Sequence, residues 1–171
     1  MEPVPHAGLV DRYRADPARA SVTLRVATEL TEGMRCETTS RGHTVVADEP
    51  RSLGGGDTAQ SPIELLLSSL ATCQAVTYRL WASELGVALD KVTVEVEGDI
   101  DLRGYLGLED GVHAGYGAMR LRVRLEGPET ADRYRALSEE VDRHCPVLDA
   151  LARPLPIVRE LELGALSGGA G

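Results

Sequence analysis

The chain has 171 residues, 43% hydrophobic and 26% charged, the composition of one globular domain that buries roughly two-thirds of its unfolded surface. Its 27 acidic residues outnumber 18 basic ones for a formal charge of −9, and no basic stripe offsets them, which argues against nucleic acid or an anionic membrane as partner. Aromatic residues are 4%, with no Phe, and no apolar run approaches transmembrane length, so base-stacking platforms and membrane spans are disfavoured too.

Residues 1–20 are weakly patterned around the Asp16-Pro17 break and predict a short helix or extended arm; Met1 to Asp16 lacks the apolar centre of a secretory signal. From Ser21 the pattern turns strand-like, with Val22, Leu24 and Val26 alternating against Thr23, Arg25 and Ala27. Met34–Thr39 and His43–Asp48 predict two more strands joined at Ser40-Arg41-Gly42, and Glu49–Gln60 predicts a loop because Pro50 and Gly54–Gly56 defeat regular structure. Ser61-Pro62-Ile63-Glu64 then combines an N-cap Ser, a Pro at the first helical position and a capping-box Glu. The helix that follows is predicted to run to about Leu85, roughly 35 Å, and to stop at Gly86. Only Glu64, Arg79 and Glu84 are charged along it, so it is expected to be buried nearly all round, at the centre of the molecule or of a dimer.

Val92, Val94 and Val96, and then Met119, Leu121, Val123 and Leu125, predict two strands whose polar faces carry Glu and Arg respectively and so suit antiparallel pairing. Their connection, Arg103–Gly117, holds five glycines with Tyr105, Leu106, Leu108 and Tyr116, the make-up of a lid or a partner contact. Glu129–His144 predicts an amphipathic helix with Tyr134, Leu137 and Val141 inward, Pro146–Leu151 a helical turn, and Leu155–Leu163 a last strand. The order βββ-α-ββ-α-β predicts an α+β domain over 21–163, its strands mostly antiparallel, with residues 1–20 as an arm and 164–171 as a flexible glycine-rich tail.

Chemistry is expected from thiols. The cysteines and histidines show no CxxC, HxH or HExxH spacing, the triple glycine lacks a P-loop lysine, and no nucleophile elbow is present. Three cysteines, an odd number, fit a reducing compartment, with the cytoplasm expected, better than a disulfide scaffold. Cys73 lies mid-helix, three turns from the dipole's positive end, and is either a space-filling core thiol or a nucleophile served by a cation from outside the helix. Arg35 and Arg51 are the nearest candidates in sequence order. Cys145, in His144-Cys145-Pro146, stands at a predicted N-cap where backbone N–H groups favour a thiolate; on local grounds it is the better nucleophile. Cys36, between Arg35 and Glu37, reads as a structural strand residue. Glu64 is accounted for by the capping box, a role compatible with orienting an arginine.

Three blocks resemble the OsmC/Ohr family of osmotically inducible and organic-hydroperoxide-resistance proteins: Asp48–Cys73 (DEPRSLGGGDTAQSPIELLLSSLATC), Gly98–Gly117 (GDIDLRGYLGLEDGVHAGYG) and His144–Val147 (HCPV). The resemblance covers about residues 20–163. It implies an intertwined α+β homodimer with the long cysteine helices at its centre, needing no cofactor or metal. It further implies a peroxidase that reduces small organic hydroperoxides with an external dithiol, Cys73 attacking first and Cys145 resolving, with Arg35 and Glu64 as the accompanying site residues. The peroxidase branch carries its glutamate directly after the helix-start Pro, where this chain has Ile63, and the DLRGYLGL loop matches an OsmC-like subgroup. The alternatives are a non-catalytic dimeric small-molecule binding protein of the same fold, and a hydrolase using Cys145 with His144.

Overall fold

The computed structural model describes residues 7–164; the predicted tail past Gly164 and positions 1–6 of the arm lie outside them. Within that span the fold is α+β, with two antiparallel sheets and one long helix. The arm forms α1 (Ala7–Ala15) and a 3-10 turn (Pro17–Ala20), parted at Asp16.

A three-stranded meander follows: β1 (Ala27–Glu32), β2 (Arg35–Ser40) and β3 (His43–Ala47). β2 and β3 are joined through Arg41 and Gly42, both with positive φ (49° and 81°), the two-residue turn whose twist matches a hairpin. The strand expected from Ser21 begins only at Ala27. The tight turn at Gly33 sets Ala27 opposite Thr39, close to the end of β2, so residues 21–26 have no ladder partner among the described residues. Their alternating Val22, Leu24 and Val26 stay exposed.

The long helix α2 (Pro62–Glu84) starts and stops as its sequence predicts. Ser61 Oγ accepts from the Glu64 backbone N–H, the Glu64 carboxylate accepts from the Ser61 backbone N–H (2.8 Å), and Gly86 takes φ +59° just past the end. Within the single chain Leu70, Gln74, Thr77, Tyr78 and Ala82 form one covered face, while Val76 on the far side is 69% exposed.

β4 (Lys91–Ile100) and β5 (Tyr116–Glu126) pair antiparallel in the register their charges suggested, Glu95 opposite Arg122 and Glu97 opposite Arg120. Both pairs close into ion pairs at 3.2 Å. The connection between these strands contains a short helix, α3 (Leu102–Tyr105), whose Leu102 and Tyr105 are exposed. α4 (Ala131–His144) lays Leu137 and Val141 on α2, and α5 (Pro146–Ala152) follows after Cys145 alone. The core is the cluster of Tyr78, Ala82, Val87, Leu89, Leu137 and Val141, with Val123 and Leu125 of β5 against it.

The last strand expected over Leu155–Leu163 is absent: the segment has no regular structure, and Ile157 and Val158 are 90% and 87% exposed. Alternating apolar residues make a strand only where a neighbouring strand supplies hydrogen bonds, and among the described residues none lies beside this one.

Replacing Ser61 with Ala removes the hydroxyl half of the capping box and is expected to cost about 1 kcal/mol in urea unfolding. The Ser61 backbone N–H and then its hydroxyl hold the Glu64 carboxyl below its ordinary value of 4.5. That contribution is complete above pH 4.5 and fades as pH falls through the lower folded value, so the variant should lose less stability on acidification than the parent.

Candidate functional site

α2 and the α4–α5 junction bring two of the three cysteines together. Cys73 lies midway along α2. Cys145 ends α4, with its N–H donating to Val141 O (2.9 Å), and begins α5, with its carbonyl accepting from Asp149 N–H (3.0 Å). The Pro after Cys145 forces this break, since a proline cannot continue α4 but suits the first position of α5. The two thiols are neighbours, near enough for Cys145 to bear on the ionisation of Cys73, with Cys145 fully buried and Cys73 partly so, and neither is in a disulfide. Burial pushes the Cys73 thiol above its ordinary value, and the neighbouring Cys145 thiol adds to this; the Val147 backbone N–H, aimed at the Cys73 sulfur, works the other way.

The other expected site residues lie elsewhere. Arg35 is on β2, its guanidinium bound to Glu37 two residues along the same strand (3.0 Å), and no arginine is among the groups acting on Cys73. Arg51 is exposed in a 3-10 turn (Arg51–Leu53). Glu64 is nine residues before Cys73, which at 3.6 residues per turn puts it about 14 Å away along α2 and about 180° round it. Its carboxylate is folded back on Ser61. Cys36, also reduced, sits between Leu30 and Ala47 in the meander. The His144 ring lies against Trp81 (centroids 4.2 Å apart) with Nδ1 2.8 Å from the Glu140 carbonyl oxygen, so its polar contacts are with α4 itself. Among the described residues no group of His, Cys, Asp and Glu could hold a metal ion.

Beside the thiols is an apolar cavity of about 500 Å³, walled by Ile63, Leu66 and Leu70 of α2, the Tyr116–Leu121 stretch of β5, and Leu148 and Leu151 of α5. Leu70 is one turn before Cys73 and Leu148 one turn after Cys145, so two of the cavity's walls belong to the helices that carry the thiols; neither cysteine itself lines it. A second cavity of about 460 Å³ shares Ile63 and Leu66 and extends under Leu102 and Tyr105. Tyr116 stands at the mouth, its hydroxyl donating to the Ile63 carbonyl (3.0 Å) and its ring lying over Gly98, where a Cβ would come within 2.5 Å of the ring.

Two features of the site carry no motif. Asp48, buried, anchors the glycine loop by accepting from the Gly56 N–H (3.1 Å) and from both the N–H and hydroxyl of Thr58 (3.1 and 2.8 Å). These bonds, the Thr58 hydroxyl foremost, hold its carboxyl below the ordinary value. Gly55 completes the anchor, because a Cβ there would stand 1.8 Å from the Glu49 carbonyl oxygen. Gln74, next to Cys73, is 1% exposed, and neither its Oε1 nor its Nε2 has a hydrogen-bond partner among the described residues.

No curated protein sequence matches the chain. Among solved structures it is similar to an OsmC-like protein from Mycoplasma pneumoniae, with 20% identity and a TM-score of 0.66 over 77% of this chain and 89% of that one. An organic hydroperoxide resistance protein from Legionella pneumophila has 21% identity and a TM-score of 0.58 over 76% and 89%. Another from Elizabethkingia anophelis has 21% identity and a TM-score of 0.57 over 76% and 88%. At these identities the likeness concerns the fold. The family model described as OsmC-like protein matches residues 54–160, the span from the glycine loop through both site thiols, and the chain belongs to the OsmC-like family.

Proposed function

We propose that the protein is a thiol-dependent peroxidase that reduces organic hydroperoxides, with Cys73 as the attacking thiol and Cys145 as the resolving one. The observation that carries this reading is that two free thiols, 72 residues apart in sequence, are neighbours in the fold, on helices that also wall an apolar cavity. The Cys73 thiolate attacks the terminal oxygen of R–O–O–H; the O–O bond breaks, and the alkoxide takes a proton and leaves as an alcohol. The resulting Cys73 sulfenic acid is attacked by the Cys145 thiol, forming the disulfide and releasing water. An external dithiol restores both thiols. The cavity suits an alkyl or aryl group far better than hydrogen peroxide, because its walls are aliphatic.

Attack requires a thiolate, and within one chain burial opposes it. A second copy of the chain supplies the remedy. The side of α2 next to Cys73 is open at Ser69, Thr72 and Val76, and apolar residues of the 21–26 and 155–163 segments stand uncovered. A homodimer that covers these surfaces brings Arg35 of the second copy to Cys73. It also gives the two unpaired extended segments a place to pair, in line with a family of usually dimeric proteins. The displaced Glu64, and a Cys73 on which no cation acts among the described residues, favour one other reading, an apolar-ligand binding protein on the same frame.

Intact mass after one equivalent of cumene hydroperoxide should show the loss of two hydrogens and a Cys73–Cys145 linkage. Cys73→Ser should lower dithiol-dependent turnover by about 10³-fold or more. Cys145→Ser should leave Cys73 gaining oxygen atoms in place of the disulfide. Thiols that stay free, together with saturable binding of the hydroperoxide to the Cys73→Ser/Cys145→Ser protein, would move the assignment to the binding reading.

Light scattering at micromolar concentration should give twice the chain mass. In that dimer the pH midpoint for alkylation of Cys73 by iodoacetamide should lie below 9.0, the ordinary thiol value, and Arg35→Met should raise it above 9.0. An unchanged midpoint in Arg35→Met would remove Arg35 from the site.

A further inference from the structure

Gln74 has no structural account within the chain. A carboxamide is a strong donor and acceptor, and burying one without partners is costly enough that most native structures avoid it. Here both polar atoms of a side chain that is 1% exposed go without a partner among the described residues. Neighbouring polar side chains on the covered face are satisfied: the Thr77 hydroxyl donates to the Cys73 carbonyl (2.7 Å), and Tyr78 shares a proton with Ser138 across to α4 (2.7 Å).

The place of Gln74 in the fold suggests what it is for. Ile63, Leu66 and Leu70 of α2 line the cavity, and Tyr78 is the first residue of α2 in the core cluster. Gln74 is one turn after Leu70 and one turn before Tyr78, at the point where cavity gives way to core. By helical geometry the stripe through residues 63, 66 and 70 continues between positions 73 and 74, with Cys73 about 50° to one side and Gln74 about 50° to the other. The α2 wall of the cavity ends at Leu70, and neither Cys73 nor Gln74 lines it; the next turn carries the thiol on one flank of that stripe and the unpaired amide on the other.

We infer that Gln74 is a substrate-binding residue of the proposed peroxidase, whose carboxamide engages the hydroperoxide group while Cys73 attacks it. The match is chemical. R–O–O–H offers one donor and one adjacent acceptor, and the carboxamide offers one acceptor and one adjacent donor. Oε1 accepts from the terminal O–H, which turns that oxygen toward the thiolate. Nε2–H donates to the oxygen bonded to carbon, which carries the negative charge as the O–O bond breaks and leaves as the alcohol after taking a proton. A donor already in place where charge develops stabilises the transition state more than the ground state, and an apolar, water-poor end wall strengthens it. An alcohol, a dialkyl peroxide or an alkane satisfies only part of the pair, so the residue selects for hydroperoxides among molecules of like shape.

This inference rests on the peroxidase reading, and the test separates the two. Turnover of cumene hydroperoxide with a dithiol is measured for the full chain and for Gln74→Met, which keeps length and volume but removes the pair. The alkylation rate of Cys73 by iodoacetamide and the thermal midpoint are measured in parallel. The expected result is a drop in kcat/KM of at least about tenfold, with alkylation within about twofold and a thermal midpoint equal or higher, since an unpaired buried amide has been removed. Unchanged turnover in Gln74→Met overturns the inference and leaves the peroxidase reading standing. A parallel fall in turnover and alkylation also overturns it, because the amide then acts on the thiol or the fold. No turnover by the parent chain sinks the peroxidase reading and this role with it. Should Gln74→Met fail to fold, the side-chain amide resonances of Gln74 in the Cys73→Ser/Cys145→Ser protein decide. They should shift on saturation with cumene hydroperoxide, and their constancy at saturation overturns the assignment.

Discussion

The packing of α2 on α4 is the constraint on which the rest of the molecule depends. Leu137 and Val141 of α4 and Tyr78 and Ala82 of α2 are all but inaccessible to solvent, and the Tyr78–Ser138 hydrogen bond fixes their relative register. Apolar burial of this kind contributes most of the stability of a small domain but is indifferent to sliding; a single buried hydrogen bond with one geometry is not. With the register set, the end of α4 falls beside the middle of α2. Pro146 turns the chain there, and the thiol at the turn neighbours the thiol on the helix. At the other end of the pair, Arg133 donates to the Leu85 and Gly86 carbonyls (3.3 and 3.1 Å), so the start of α4 is tied to the end of α2 as well.

Helical periodicity explains the arrangement of polar groups around that contact. Each residue of α2 turns its side chain by about 100°, so a shift of one position changes what a group faces. A carboxylate at position 63 would share the cavity side with Leu66 and Leu70; at position 64 it is turned across the axis from Cys73 and caps the helix instead. Ile63 takes the cavity position, and the inner wall becomes aliphatic from the helix start to Leu70. Within a single chain the consequence is a thiol pair in apolar surroundings, with the Val147 backbone N–H and then the Thr77 hydroxyl in favour of the Cys73 thiolate. Among the described residues no cation is among the groups acting on that thiol, and the side of α2 at Ser69, Thr72 and Val76 is uncovered.

The strongly charged part of the molecule lies away from the site. Glu95, Glu97 and Asp99 of β4 meet Arg120 and Arg122 of β5 on the exposed face of the two-stranded sheet, where ion pairs contribute little and register is set mainly by the valines and leucines behind. Because β5 also walls the cavity from Tyr116 to Leu121, this register decides which of its side chains enter it. The loop before β5 carries Arg103 paired with Asp101 and Glu109, and Gly104 packed where a Cβ would meet the His113 carbonyl oxygen at 2.3 Å. A loop so tied is a built wall, and its exposed Leu102 and Tyr105 extend the apolar surface beyond the second cavity.

Local chemistry was written plainly in the chain. The capping box, the stop at Gly86, the Arg41-Gly42 turn, the pairing of β4 with β5 and the inward face of α4 all rest on contacts between residues close in sequence or on strict alternation, and each formed as its residues predict. Alternation at 21–26 and 155–163 was equally legible and misled, because a strand exists only with a neighbour, and the described residues of the chain put none beside them. The cysteines could be identified as residues but not as a pair: 72 residues separate Cys73 from Cys145, and the packing of α2 on α4 makes them neighbours. The same packing leaves Arg35 on its own strand with Glu37 and seals Gln74 in without a partner. Sequence alone determined which groups are nucleophilic, charged or helix-starting; tertiary structure decided which of them meet, because contact across distant segments is set by the burial of apolar faces that no local pattern specifies.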